Sequence, residues 1–295
     1  MSWDRHTVGG RPLFVHAPED RARTYPTIYV LHAHMRSAAS WFNVTPFEPS
    51  YPEVIDELAP DAIVALVDGW TSVGGGQWIG ELADYLRVEV VPFVERRYPA
   101  NELRALQGKS SGGYGAIANA LQRPDLFHAV AAHAPDALFE VTIAHGFPAA
   151  ARELRERFGG SLEAFWSSFS GLESQGDALL VELTSAARAF GDGRLPFDDV
   201  GRIVPELFER WLSHDPVRLL PGNPDAVHGL RGVWLDAGRR DEYYLDLGAT
   251  ALREAFLAAG LPADRLHFEL VEGSHGGMSG RYPLSLAWLV ERLAS

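Results

Sequence analysis

Cysteine is absent from all 295 residues. That excludes disulfides, thiolate catalysis and zinc sites built on cysteine, and it fits a reducing compartment. Long apolar runs are also absent. Residues 62–67 form one of the longest, which is strand-sized and far short of a membrane span. Residues 1–6 carry no apolar core of signal-peptide length, so a soluble, cytoplasmic protein is expected. Positive charge is scarce: 26 Lys and Arg stand against 39 Asp and Glu, a net charge of -13. That balance argues against nucleic acid and anionic membranes as partners and favours plain solubility. No internal repeat or low-complexity tract is visible. Gly74-Gly75-Gly76 follows a strand pattern, but no Gly-Lys-Ser/Thr comes after it. The run therefore reads as a flexible pocket wall rather than a nucleotide-phosphate loop.

What is present suits one large α/β domain with an insertion, or two small domains: 46% of residues are hydrophobic and 22% charged. Strand patterns recur at residues 27–31, 62–67, 103–106, 128–132, 233–235 and 266–271. The second is apolar on both faces, as a central parallel strand should be. Helical spacing joins Leu82, Leu86, Val90, Phe93 and Val94, with a kink expected at Pro92. It also joins Leu245, Ala249, Leu252, Phe256 and Leu257, ended by Gly260, and then Leu286, Leu289, Val290 and Leu293. Strands alternating with helices predict a mostly parallel central sheet covered on both faces. The alternation lapses between about 137 and 229, where three helical patterns carry Phe165, Trp166, Leu180, Leu183, Phe208 and Trp211. The expected division is a core of residues 1–136, a helical cap insertion of residues 137–229, and a second core segment of residues 230–295. The aromatics of the insertion would mostly pack it onto the body, while the insertion as a whole could wall a pocket.

Gly108-Lys109-Ser110-Ser111-Gly112 reads Gly-x-Ser-x-Gly between a strand pattern and a helix pattern. In that context the motif is a nucleophile elbow, a strained turn that exposes the Ser110 oxygen. A serine is a weak nucleophile until a base takes its proton and a third group orients the base. His275 is the candidate base, flanked by glycines in a loop after the last strand pattern. For the acid, Asp241 is preferred to Asp236 and Glu242. Asp236 abuts a strand, whereas Asp241 follows a glycine turn that lets it swing toward His275. A competing role for Asp241 is a helix N-cap, worth about 1 kcal/mol. The backbone N–H groups of Ser111 and His34 are the expected oxyanion donors. His32 and His34 lack a nearby third ligand, so no metal site is expected. Asp68 and Trp70 follow the second strand pattern, at the sheet edge where open α/β sheets bind ligands. They join Trp78, Asp136, Trp166 and Trp211 as candidates for the substrate pocket.

Leu31-His32, Val67-Asp68-Gly69-Trp70, the elbow with Gly113-Tyr114-Gly115-Ala116, Asp236-Ala237-Gly238 with Asp241-Glu242, and Ser274-His275 resemble the Putative esterase branch of the α/β-hydrolases. Esterase D, the enterochelin esterases and the mycolyltransferases are among its relatives. The resemblance runs from about residue 27 to 293. Ala132-His133-Ala134-Pro135-Asp136 is similar to a His-Ser-Gly-Asp segment of other members. The resemblance implies an eight-stranded sheet, a triad of Ser110, Asp241 and His275, oxyanion donors at Ser111 and His34, and no cofactor. Two departures stand out. His32-Ala33 replaces a frequent His-Gly, and the insertion exceeds that of enzymes acting on small charged thioesters. The expected activity is carboxylesterase chemistry on a small-molecule ester. The alternatives are acyl transfer by the same triad and a non-catalytic binding protein on a hydrolase scaffold.

Overall fold

In the computed structural model, which describes residues 3–43 and 48–294, the sheet is built from strands that are apolar on both faces. Every residue of β4 (Ile63–Val67) and β6 (Ala129–His133) is buried, and so is nearly all of β3 (Tyr25–Leu31). Such runs are stable only where helices cover both faces. With β1 (Asp4–Val8), β2 (Arg11–His16), β5 (Ala100–Lys109), β7 (Gly232–Gly238) and β8 (Leu266–Val271) they form one eight-stranded sheet. Its order is β1-β2-β4-β3-β5-β6-β7-β8. From β4 to β8 all pairings are parallel; β1–β2 and β2–β4 are antiparallel. This is the α/β-hydrolase arrangement.

The hairpin β1–β2 is absent from the sequence reading. Its turn is Gly9-Gly10, with φ of 54° and 76°. Glycine adopts such angles freely, and a two-residue hairpin requires them. β1 is an edge strand with mostly exposed or half-exposed residues, so it carries no apolar alternation to detect. β5 also exceeds its predicted span and runs directly into the elbow.

The helix Arg281–Ala294 covers one face, burying Leu286, Leu289 and Leu293. The elbow helix Ser111–Gln122 lies on the other. The irregularity expected at Pro92 takes the form of a π-helical stretch, Tyr85–Val90, between short α segments. Proline has no N–H for the carbonyl one turn back, and the wider π turn absorbs the missing bond.

Between β6 and β7 the main elements are the helices Phe139–Thr142, Phe147–Phe158, Leu162–Ser168, Gln175–Phe190 and Pro205–Leu212. Their apolar faces meet in a cluster of Phe139, Phe147, Phe165, Phe190, Phe208 and Trp211, closed by Tyr114 of the elbow helix. Each fully buried phenylalanine contributes about 1.5–3 kcal/mol. Among the described residues no helix is long and apolar enough to cross a membrane.

Candidate active site

Parallel strands deliver the site. The loops after β3, β5, β6, β7 and β8 all leave the same edge of the sheet, the C-terminal edge where α/β proteins bind ligands.

Ser110 is the single residue between β5 and the elbow helix, with φ 55° and ψ -125°. A non-glycine residue at positive φ costs on the order of 1–3 kcal/mol and persists only when its surroundings hold it. Here the Ser110 N–H donates to the His133 carbonyl at 2.9 Å, and the Ser110 carbonyl accepts from Tyr114 N–H at 2.8 Å. Gly108 and Gly112 are needed for close approach. A Cβ on Gly108 would collide with the Gly112 carbonyl, and one on Gly112 with the Leu31 carbonyl.

Ser110, Asp136, His275, Lys109, Glu182 and His34 border one cavity of about 410 Å³. On the loop after β8, His275 Nδ1 lies 2.8 Å from Asp241 Oδ2, and His275 N–H donates to Glu242 at 2.9 Å. Asp241 is buried on the turn after β7, and its other oxygen accepts from Tyr243 N–H at 2.9 Å. It forms a local turn rather than the helix cap, a position taken by Tyr244. The Ser110 hydroxyl donates to Asp136 at 3.3 Å. Asp136, not His275, is thus its hydrogen-bond partner in this structure.

A continuous Ser-His-Asp hydrogen-bond chain lies in the core instead. Ser285 Oγ is 2.9 Å from His133 Nε2, and His133 Nδ1 is 2.6 Å from Asp236. All three residues are fully buried. Asp236 also accepts from Trp234 Nε1 and Arg281 Nε, at 2.8 and 2.9 Å. Burial alone would raise the Asp236 carboxyl, but His133 and these donors together hold it below the usual carboxylate range.

The loop after β3 is braced from several sides. His32 Nδ1 lies 2.8 Å from the Ala33 carbonyl and His32 Nε2 accepts from Gly69 N–H, also at 2.8 Å, which assigns the ring proton to Nδ1. Met35 N–H donates to the Gly74 carbonyl at 2.6 Å. Burial brings His34 down to about 4, so its ring is neutral near pH 7. Among the described residues no group of three His, Cys, Asp or Glu could hold a metal ion. Ser111 opens the elbow helix, where N–H groups have no carbonyl one turn back and can face a ligand.

A family model described as "Putative esterase" matches residues 7–288. The chain belongs to that family. A search of curated proteins returns no match. Among solved structures, a ferulic acid esterase aligns over 99% of this chain and 97% of its own, at 14% identity and a TM-score of 0.62. The fluorophosphonate-binding serine hydrolase F of Staphylococcus aureus aligns over 98% and 97%, at 16% identity and 0.58. An S-formylglutathione hydrolase from Agrobacterium tumefaciens aligns over 99% and 94%, at 15% identity and 0.56. At these identities the neighbours establish the α/β-hydrolase fold, and the family membership establishes a serine hydrolase of the esterase type.

The cavity of this esterase is acidic on one side. Burial pushes the Asp136 carboxyl up to about 6, against the opposing pull of His275 and of hydrogen bonds from Ser110 and Gln77. Glu182 reaches about 8, through burial first and the charge of Asp136 second. Its raised pKa means that the fold holds the Glu182 proton more tightly than the unfolded chain does. The stabilisation from that proton is complete below about pH 4.5 and is lost as pH rises toward 8. Glu182→Gln is therefore expected to match wild type at pH 5 and to exceed it at pH 9, by on the order of 2 kcal/mol. Denaturant unfolding at the two pH values checks this, and equal curves at pH 9 would refute it.

Most of the predicted pocket residues lie elsewhere. Asp68 uses both oxygens on backbone, accepting from Ala38 N–H at 2.9 Å and Trp70 N–H at 3.0 Å. Trp70 is half exposed and does not border the cavity. Trp78 is fully buried against Gly69 and Gly115, and its indole donates to the His32 carbonyl at 3.0 Å. Trp166 donates to Thr184 at 3.2 Å and packs on Phe165 and Phe169. Trp211 is in the helical cluster. An aromatic side chain gains most from a closed apolar environment, and Trp78, Trp166 and Trp211 follow their packing rather than the ligand cavity. Asp136 alone of the six lines it. Nor do Gly74, Gly75 and Gly76 form a cavity wall; they sit against His34, Met35 and Leu82. The sequence reading missed Glu182, whose signal is an acid between the buried Val181 and Leu183, on the side of its helix that borders the cavity.

Proposed function

We propose that this protein hydrolyses carboxylic esters through an acyl-enzyme on Ser110. His275 is the base and acid, Asp241 orients it, and the backbone N–H groups of Ser111 and His34 hold the oxyanion. One observation carries this reading: His275, bonded to the buried Asp241, borders the same cavity as the strained Ser110 elbow. Ser110 Oγ turns from Asp136 to His275 Nε2 and attacks the ester carbonyl as its proton passes to the imidazole. The imidazolium, held by Asp241, then gives that proton to the departing alkoxide. Water, deprotonated by His275, repeats the sequence on the acyl group and frees Ser110. Each oxyanion donor supplies about 10²–10³ in rate, because its dipole is already aimed where charge develops. The hydrolytic activities in the names of the ferulic acid esterase and the S-formylglutathione hydrolase favour water over an alcohol as the final acceptor. Fluorophosphonate labelling with peptide mapping tests the assignment. One phosphonyl group on Ser110 is expected; a label on Ser285, or none, would overturn it.

A further inference from the structure

Lys109 is the only lysine in the chain. It occupies the elbow position just before Ser110. Together with Arg36 it borders both the Ser110 cavity and a second cavity of about 300 Å³. Neither side chain has an ion pair or hydrogen bond among the described residues, in contrast to Arg281 on Asp236. The carboxylates that act on Lys109, Asp241 and Glu242, are both bonded to His275, and Arg36 repels it. Two cations that line the same cavities without an ion pair of their own among the described residues, in a protein of net charge -13, form an arrangement completed by an anion.

The second cavity fits one. Among the described residues no carboxylate lines it. Its walls include the hydroxyl residues Ser37, Ser40 and Ser279, and the edge-on pair Trp41–Tyr282, with centroids 4.9 Å apart. The Ser110 cavity carries Asp136 and Glu182 instead. An anionic substituent therefore meets Arg36 and Lys109 alone in the second cavity, and meets them beside Asp136 and Glu182 in the first. Arg36 can take a carboxylate with two parallel hydrogen bonds, and Lys109 adds a point charge on a flexible stem.

We infer that the second cavity binds the carboxylate of an ester substrate, with Arg36 and Lys109 as its specificity-determining residues. The inference rests on Ser110 as nucleophile for its place in catalysis, but not for the binding itself. Two pairs of esters test it. 4-Nitrophenyl hydrogen glutarate against 4-nitrophenyl methyl glutarate puts the charge on the acyl side. 4-Acetoxybenzoate against its methyl ester puts it on the alcohol side. In wild type the anionic member of one pair is expected to have at least a tenfold higher kcat/KM. Arg36→Gln is expected to abolish that ratio and Arg36→Glu to invert it. Arg36 is exposed, so neither variant disturbs the core. A binding measurement independent of turnover uses the single lysine. Trinitrobenzenesulfonate labelling of Ser110→Ala, read by peptide mass, is expected to slow at least fivefold at Lys109 with glutarate and not with glutaramide. Ratios that ignore Arg36, or labelling that glutarate does not slow, overturn the anion site. Protection without hydrolysis of any ester overturns the esterase reading alone.

Discussion

Ser110→Ala is expected to lower ester turnover by about 10⁴-fold or more, and Ser285→Ala to leave it near wild type. Ser285 is bonded to His133 and Ser110 shares a cavity with His275, and each histidine pairs with an aspartate at less than 3 Å. What separates the two serines is access and charge stabilisation. Ser285 is fully buried, and Gln107 Nε2 already donates to its Oγ at 2.7 Å. It is the fifth residue of the helix Arg281–Ala294, where N–H groups are bonded within the helix and cannot serve an oxyanion. Ser110 borders the cavity and is followed by the unpaired N–H groups of a helix start. Steady-state hydrolysis of short 4-nitrophenyl esters by the two variants decides between them. Loss in Ser285→Ala with activity kept in Ser110→Ala would exchange the two roles.

The buried chain has a different task, and Asp236→Ala is expected to expose it by costing about 3–5 kcal/mol of stability. Asp236 accepts from three partners, on β6, on its own strand and at the start of the last helix. Removing it leaves Nδ1 of the His133 imidazole without its partner in a fully buried site, and strips Arg281 of one of its two carboxylates, Glu269 being the other. The network continues through Ser285 and Gln107 to Tyr51, so it ties β5, β6, β7 and two helices together directly beneath the elbow. Denaturant midpoints of Asp236→Ala against wild type measure the loss. A change below 1 kcal/mol would mean that the network contributes little to holding the sheet and the last helix together.

The distances involved explain which features were readable in advance. The elbow is local: five residues specify a turn, two glycines permit its close approach, and a strand and a helix flank it. The central strands were equally plain, because burial on both faces leaves continuous runs of Val, Ile, Leu and Ala. The hairpin β1–β2 was not, since an exposed edge strand needs no apolar pattern. Periodicity reports that Trp166 and Trp211 are buried without saying against what, and a place after a strand brings Trp70 to the sheet edge without bringing it to the cavity. Trp78, Trp166 and Trp211 turned out to be packed into the protein interior or the helical insertion, and Trp70 lies half exposed outside the cavity.

The sequence by itself determined the strand-helix alternation, the elbow and the chain order of serine, acid and histidine, since each depends on residues near one another or on order alone. Tertiary structure decided the rest. It chose Asp241 over Asp236 as the partner of His275, because strand register keeps Asp236 on His133 inside the sheet while the turn after β7 carries Asp241 to His275. It paired Asp236 with His133 across 103 residues and His133 with Ser285 across 152. It brought Asp136, Glu182, Arg36 and Lys109 to the Ser110 cavity and extended the two cations into a second one. Contacts between residues so far apart follow from strand order and helix packing, which no local pattern encodes.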